Sequence, residues 1–222
     1  MKYSIENGPA FTTLKVELAS GEDFRSEGGA MVGMSSGIDL KTETSGKGIL
    51  GIIKSMFSGE GMFVSSYSGT GEVYLAPPTP GDIMAYDLGG KTLYAQNGAY
   101  LAGSSDLTLS AKGSMKAMIS GEDLFLQKIT GQGTVFLNSY GVIIEKELAA
   151  GESYRVDTGH IVAFEEGVNY SVRKASKSII SSFLSKEGLV CEFQGPGKLY
   201  FQNRDLKGFA KLLKSLTQIK KS

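Results

Sequence analysis

The sequence predicts an all-β domain of three repeats, arranged as a β-prism or double-stranded β-helix-like fold and followed by one amphipathic C-terminal helix. A twelve-residue phrase recurs with glycine at its first and ninth places, at 21–32, 90–101 and 151–162. A second phrase, glycine-x-glycine followed by apolar residues, recurs at 69–75, 131–137 and 195–201. Units this small cannot bury an apolar face alone, so repeats of this kind stack on one another.

Strand signals account for most of the chain. They are short runs of β-branched and aromatic residues bounded by glycine, a pattern typical of strands in sandwiches, barrels and prisms. The glycine-x-glycine pairs lie between two such runs, where glycine permits the positive φ angles of tight hairpins. We predict strands, in chain order, at 11–18, 72–75, 93–95, 107–109, 124–129, 134–138, 142–147, 154–156, 161–164, 170–172 and 198–202.

The 222 residues fit one domain, because three repeats that share a core fold together more readily than apart. We predict a single β domain over residues 1–204. Its repeats span about 11–76, 83–139 and 142–204, and a basic helix occupies 205–222. Equal spacing within the first phrase predicts that Gly29, Gly98 and Gly159 lie at equivalent turns around a local threefold axis.

Composition narrows the range of functions and locations. Basic and acidic side chains balance at 23 each, which removes whole-molecule attraction as a reason to expect a nucleic-acid partner. Cys191 is the only cysteine, so an intrachain disulfide and a thiolate cluster are excluded. The start of the chain lacks the pattern of a signal peptide, and no apolar run has the length of a spanning helix. We therefore expect a cytoplasmic protein.

Three segments within the repeats differ from the strands, because they are apolar, contain lysine and lack strand periodicity. If they are exposed, they form an apolar patch at one end of the molecule, and such patches usually mark contacts with protein or membrane. The alternative is that they cover the open end of the core. We expect burial in a homo-oligomer, most simply a cyclic trimer. The segments are 49–57, 111–119 and 176–184.

The C-terminal segment 205–222 has the periodicity of an amphipathic helix. Its apolar residues recur at steps of three and four, lysines occupy the other positions, and no acid follows Asp205. Such a helix can lie on an anionic membrane surface or pack on the β core. We expect packing on the core or on a neighbouring subunit, because the stripe lacks tryptophan, and we keep peripheral membrane contact as the alternative.

Candidate catalytic residues are few. His160 is the only histidine, and Asp157 lies three residues before it, so a carboxylate could orient the imidazole ring. The repeat equivalents of His160 are Ala30 and Ala99, which favours a structural histidine. Cys191 lies in an apolar strand and is expected to be inert. We therefore predict no catalytic residues, no cofactor and no metal, and we retain Asp157 and His160 as the candidate ligand site.

A resemblance to a known family rests on six phrases, at 28–32, 59–63, 76–83, 121–126, 131–136 and 156–164. Through them the chain resembles the mitochondrial biogenesis family named for altered inheritance of mitochondria, and specifically its uncharacterised prokaryotic branch. The resemblance covers the chain to about Gln202 and implies a trimer of three-repeat β subunits with a fold like that of the tryptophan RNA-binding attenuation protein. It implies no catalytic residues.

Two functional hypotheses follow. The first is a non-enzymatic oligomeric scaffold that engages an unknown protein partner or membrane-associated complex through its loops or its C-terminal helix. The second is a small-ligand-binding module or enzyme with a pocket near Asp157 and His160. We favour the scaffold, because an enzyme of the cupin type, which shares the jelly-roll fold, needs several histidine and carboxylate ligands that this chain lacks. A third possibility, RNA binding by analogy with the attenuation protein, rests on fold resemblance alone.

Overall fold

The structure is a computed structural model that describes residues 1–44, 63–112, 126–174 and 189–218. These residues form β-strands, one 3-10 helix and one α-helix at the C-terminus, so the predicted all-β domain with a C-terminal helix is confirmed. The predicted apolar segments 49–57 and 176–184 lie outside the described residues. So does 111–119, apart from its first two residues, which end a strand.

Each repeat contains six strands in the same order, and one further strand, β1 (Lys2–Glu6), precedes the first repeat. The first repeat consists of β2 (Thr13–Leu18), β3 (Asp23–Glu27), β4 (Met31–Met34), β5 (Ile38–Thr44), β6 (Phe63–Gly69) and β7 (Gly71–Leu75). The second consists of β8 (Ile83–Asp87), β9 (Leu93–Gln96), β10 (Tyr100–Ser104), β11 (Thr108–Lys112), β12 (Leu126–Thr130) and β13 (Thr134–Asn138).

The third repeat has the same six strands and an added helical turn. It consists of β14 (Ile143–Leu148), β15 (Ser153–Asp157), the 3-10 helix η1 (Thr158–His160), β16 (Ile161–Glu165), β17 (Asn169–Lys174), β18 (Leu189–Gln194) and β19 (Gly197–Gln202). The C-terminal helix α1 (Leu206–Gln218) follows it directly.

Strand pairing is identical in the three repeats. In each, the sixth strand pairs with the first and the third, and the fifth strand pairs with the second and the fourth, always antiparallel. The third strand carries the same register shift each time, between Met31 and Gly33, Tyr100 and Ala102, and Ile161 and Ala163. Each repeat therefore consists of two three-stranded half-sheets.

Neighbouring repeats are joined by strand pairing as well. β3 pairs with β10, and β9 pairs with β16, so the second strand of one repeat joins the third strand of the next. These junctions create two six-stranded sheets, ordered β5-β6-β3-β10-β13-β8 and β11-β12-β9-β16-β19-β14. The half-sheets at the two ends remain separate, as β1-β2-β7-β4 and β15-β18-β17.

Three apolar cores lie between successive sheets, one for each repeat. Cluster 1 combines first-repeat residues such as Phe24 and Tyr67 with Leu101 of the second repeat. Cluster 2 combines second-repeat residues such as Leu93 with Val162 of the third repeat. Cluster 3 combines third-repeat residues such as Phe193 with Tyr94 and Leu126 of the second repeat. Each of the first two cores therefore contains residues that the following repeat contributes across a junction.

The sequence-based strand assignment was incomplete. All eleven predicted runs overlap strands or strand ends, and the apolar strand predicted around Cys191 is β18, but the prediction missed seven strands: β1, β3, β4, β5, β6, β8 and β10. Several of these are rich in serine, glycine or charged residues, so their alternation of buried and exposed side chains is weak. β3, for example, has the sequence DFRSE and buries only Phe24 and Ser26.

The expected equivalence of three glycines holds for two of them. Gly29 and Gly98 have φ of 89° and 86° in equivalent turns, a conformation that glycine adopts without strain. Gly159 is different, because it lies in η1, where Asp157 caps the turn by accepting a hydrogen bond from the Gly159 N–H. The prediction was therefore wrong for the third repeat, in which a helical turn replaces the left-handed one.

Gly131→Ala should destabilise the protein far more than Gly151→Ala, although both glycines have positive φ, of 125° and 78°. A Cβ on Gly131 would lie 2.6 Å from the carbonyl oxygen of Asp106, whereas nothing lies within 4 Å of one on Gly151. We expect losses of about 3 kcal/mol or more and about 1 kcal/mol in the free energy of unfolding. Urea denaturation measures both, and equal losses would contradict the packing of this hairpin.

Candidate functional site

The sequence-predicted pair Asp157 and His160 lies where β15 passes into η1. Asp157 Oδ1 accepts a hydrogen bond from the Gly159 N–H at 2.8 Å. His160 donates from Nδ1 to the carbonyl oxygen of Gln202 at 2.8 Å, because a carbonyl can only accept. The structure brings the two residues into one turn, but each side chain bonds to backbone.

Gln202 completes this turn. Its Nε2 donates to the carbonyl oxygen of Gly159 at 3.1 Å, and its Oε1 accepts from the backbone N–H of Tyr140 at 2.9 Å. The Asp157–His160 turn therefore connects the end of β19 to the start of the third repeat. This arrangement is that of a structural joint ahead of α1, and sequence reasoning did not identify Gln202 as part of it.

The position of Asp157 has equivalents in the other repeats. Gln96 holds this position in the second repeat, and with its amide oriented to donate, it reaches the carbonyl oxygens of Thr158 and Ile161 at 3.3 and 2.6 Å. Glu27 holds it in the first repeat, where burial raises the pKa of the carboxyl to about 6. Of the three equivalent residues, Gln96 contacts the following repeat and Asp157 caps its own turn, so the position carries no reactive group that the repeats share.

Reactive side chains are sparse in the part of the chain that the structure describes. Over these residues, no group of three or more histidine, cysteine, aspartate or glutamate side chains could hold a metal ion. Cys191 is fully buried in β18, and burial raises the pKa of its thiol to about 12. Since the thiolate is the nucleophilic form, this cysteine is unreactive at neutral pH.

The most unusual surface of the described structure is the apolar stripe of α1. Its residues are between 42% and 57% exposed, although each has a large apolar side chain. Placed at 100° per residue, they fall within an arc of about 120°. Lys207, Lys211 and Lys214 lie on the opposite side of the helix. The stripe consists of Leu206, Phe209, Leu212, Leu213 and Leu216.

The start of α1 contacts the β domain. Asp205 caps the helix by accepting hydrogen bonds from the backbone N–H groups of Lys207 and Gly208, at 3.0 and 2.7 Å. Phe209 lies beside Tyr140, with ring centroids 5.8 Å apart. We expected the stripe to pack on the core or on a neighbouring subunit; in the single chain its side chains are exposed, and packing on a neighbouring subunit stays a prediction. Helical periodicity identifies an apolar face, but it does not identify what that face contacts.

The length of α1 also limits its relation to a membrane. Among the described residues, no helix is long and apolar enough to cross a bilayer.

A second group of exposed apolar side chains, which sequence reasoning missed, lies at the two ends of the row of repeats. Met31, Val32 and Met34 are exposed on β4, and Tyr154 is exposed on β15. The signal that could have found them is the repeat itself, because their equivalents in other repeats are buried.

Comparison with known proteins gives concordant results. A family model described as mitochondrial biogenesis AIM24 matches residues 3–204. An uncharacterised protein of Streptococcus pyogenes serotype M6 is 32% identical over 225 residues, which span 96% of this chain and 90% of that protein. A crystal structure of a Streptococcus pyogenes protein superposes with a TM-score of 0.81 at 32% identity, and the match covers 97% of this chain and 99% of that one.

His160→Ala should lower the free energy of unfolding by about 1 kcal/mol, because the half-buried Gln202 carbonyl loses its donor. His160→Asn is the matched control, since an asparagine Nδ2 can replace the Nδ1 donor, and it should recover most of the loss. Urea denaturation compares the two. A transition metal that copurifies at one equivalent per chain and is lost from both variants would contradict the structural role.

Proposed function

The chain belongs to the mitochondrial biogenesis AIM24 family. We propose that it is a non-enzymatic, oligomeric scaffold that lies on an anionic membrane surface through α1, the helix that follows the residues matched by the family model. The observation that carries the proposal is the exposed apolar stripe of α1. The proposed location is the cytoplasmic face of the membrane. Anionic lipids are concentrated there, and the reducing cytoplasm suits a chain whose single cysteine forms no disulfide within it.

The composition of α1 suits an interfacial helix. Five large apolar side chains form one face, three lysines form the other, and Lys220 and Lys221 follow in the sequence. Each basic residue near an anionic surface contributes about 1 kcal/mol of attraction, and burial of the apolar face adds to it. Although the chain as a whole has no net charge, this charge is local and uninterrupted by acid after Asp205.

The attachment of α1 suits this role as well. Asp205 fixes the first turn, Phe209 contacts Tyr140, and the stripe side chains beyond them are about half exposed. The helix can therefore present its apolar face without rearrangement of the three cores.

The non-enzymatic part of the proposal is supported by the state of the two side chains best suited to chemistry. His160 bonds to the Gln202 carbonyl, and the Cys191 thiol is buried and protonated at neutral pH. The competing proposal, a small-ligand site near Asp157 and His160, would have to break the hydrogen bonds that hold η1. An unknown protein partner remains the other candidate occupant of the α1 stripe.

Wild-type protein should float with vesicles of mixed phosphatidylglycerol and phosphatidylcholine, and salt should weaken the binding. The double substitution Leu213→Ser and Leu216→Ser should abolish flotation, because it removes two side chains from the middle of the stripe. Replacing Lys207, Lys211 and Lys214 by glutamine should weaken binding to anionic vesicles and reduce its salt dependence, because only Lys220 and Lys221 of the basic segment then remain. Ala210→Ser, a change of polarity outside the stripe, is the matched control and should float like the wild type.

Truncation after Arg204 separates membrane binding from stability. It should abolish flotation and shift the melting temperature by only a few degrees, because α1 contacts the β domain through little more than Phe209. Equal flotation of the truncated and full-length chains would overturn the proposal, as would wild-type protein that stays at the bottom of the gradient.

A further inference from the structure

In the part of the chain that the structure describes, two strands, β4 and β15, lack a pairing partner that the equivalent strands of the other repeats have. β3 and β9, the second strands of their repeats, pair with the third strands of the following repeats, β10 and β16. β15 is the second strand of the last repeat, and β4 is the third strand of the first. Among the described residues, β15 pairs only with β18, and β4 pairs only with β7. We call their unpaired sides the β15 edge and the β4 edge.

The β4 edge displays side chains that a preceding repeat would cover. Val32 is 65% exposed, whereas its equivalents Leu101 and Val162 are 0% and 1% exposed. Leu101 packs into cluster 1, and Val162 packs into cluster 2, so each enters the core of the repeat before its own. The first repeat has no predecessor within the chain, and Val32 therefore has no core to enter.

The β15 edge shows the complementary loss. Tyr154 is 37% exposed, whereas its equivalents Phe24 and Leu93 are fully buried. The Gly195 N–H donates to the Glu152 carbonyl oxygen at 3.0 Å. Because backbone groups alternate along a strand, the N–H and C=O of Ser153 and Arg155 point away from β18.

The same backbone groups are used at an internal junction. Thr92, the equivalent of Ser153, accepts a hydrogen bond from the Glu166 N–H of the following repeat at 3.3 Å. The β15 edge therefore presents its donors and acceptors as β9 does, but has no following repeat to receive them.

The starts of the repeats also form an open row. Phe11 bridges to Gly81, and Gly81 bridges to Gly141, through the hydrogen bonds Thr12 N–H to Gly81 O and Asp82 N–H to Gly141 O. Val142 is the third-repeat equivalent of Thr12 and Asp82. If the row closed on itself, the Val142 N–H would donate to Phe11 O, but it donates to the side chain of Asn203 at 3.0 Å. The described residues thus do not continue the series from the third repeat back to the first.

We propose that the β15 edge of one copy pairs with the β4 edge of a second copy, so that the chain assembles head to tail by a third junction of the type found twice inside it. The inference rests on the oligomeric part of the proposed function and names the partner as the chain itself. The two edges are different surfaces, so the contact is heterologous, and such contacts form a ring where their rotation closes. The cyclic trimer predicted from the sequence is one such ring.

The internal junctions fix the register of this contact. Ala102 lies opposite Ser26, and Ala163 lies opposite Ala95. By equivalence, Gly33 of one copy lies opposite Val156 of the other, and Met34 lies opposite Arg155. Val32 then enters cluster 3 of the other copy, beside Val156 and Phe193. A side chain that is exposed in the single chain is thereby buried as Leu101 is.

Each edge can be blocked separately. Arg155→Pro removes a backbone donor from the β15 edge and leaves the pairing with β18 intact, because the Arg155 N–H points away from that strand. Arg155→Ala is its matched control, since it loses the same ion pair with Glu192 but keeps the donor. On the other edge, Val32→Lys with Met34→Lys places two charges where an apolar core is expected. Its control is Ile144→Lys, an apolar site on β14 that is as exposed as Met34.

Sedimentation velocity of the full-length chain should give a multiple of 23.6 kDa for the wild type, Arg155→Ala and Ile144→Lys. Arg155→Pro and the Val32/Met34 double variant should each sediment as folded monomers, with wild-type circular dichroism. A monomeric wild type would overturn the proposal, because it would mean that the two edges close within one chain or remain free. Unchanged assembly of both blocked variants would overturn it as well.

Mixing the two blocked variants gives the decisive result. One retains a native β15 edge and the other a native β4 edge, so an equimolar mixture should form a dimer and stop there. A symmetric contact through any other surface gives no such complementation, and a mixture that stays monomeric would contradict head-to-tail pairing. Truncation after Arg204 should leave assembly unchanged, so failure of membrane binding and failure of assembly are distinguishable.

Discussion

Antiparallel pairing between the second strand of one repeat and the third strand of the next is the contact on which the other features of the fold depend. A three-stranded half-sheet has to bury its apolar face against another layer. The junctions β3–β10 and β9–β16 convert half-sheets into six-stranded sheets that carry apolar side chains on both faces. Leu101 and Val162 cross these junctions to complete the preceding cores, so sheet extension and core formation occur together.

The repeated phrases allowed the fold class to be predicted, because glycines at fixed offsets impose the same turns in each copy. They did not reveal every strand. The third strands MVGM and YLAGS contain glycine and few β-branched residues, and only the structure shows that they join the repeats. The comparison of Val32 with Leu101 required both kinds of information: the sequence aligns the two positions, and the structure shows that one is exposed and the other buried.

Asp157 and His160 were kept as the candidate ligand site because few other residues in the sequence could support catalysis. In the structure they hold a helical turn against Gln202, which agrees with the structural histidine that the repeat alignment favoured. The amphipathic pattern of α1 was identified correctly, but its packing partner cannot be read from the sequence, because a periodic apolar stripe looks the same whether it covers a core or meets a membrane. The exposed apolar surface at α1 and at the two end strands supports the proposed role in assembly and attachment.

Hydrogen–deuterium exchange measured across a range of protein concentrations tests the junction model most directly. The backbone amides of β4 and β15 that point away from β7 and β18, such as that of Arg155, should exchange rapidly in dilute protein and become protected as concentration rises. Those of β10 and β16 should be protected throughout, because their junctions lie within the chain. Protection of β4 and β15 that is as strong in dilute monomer as that of β10 and β16, or that is absent at every concentration, would contradict the account.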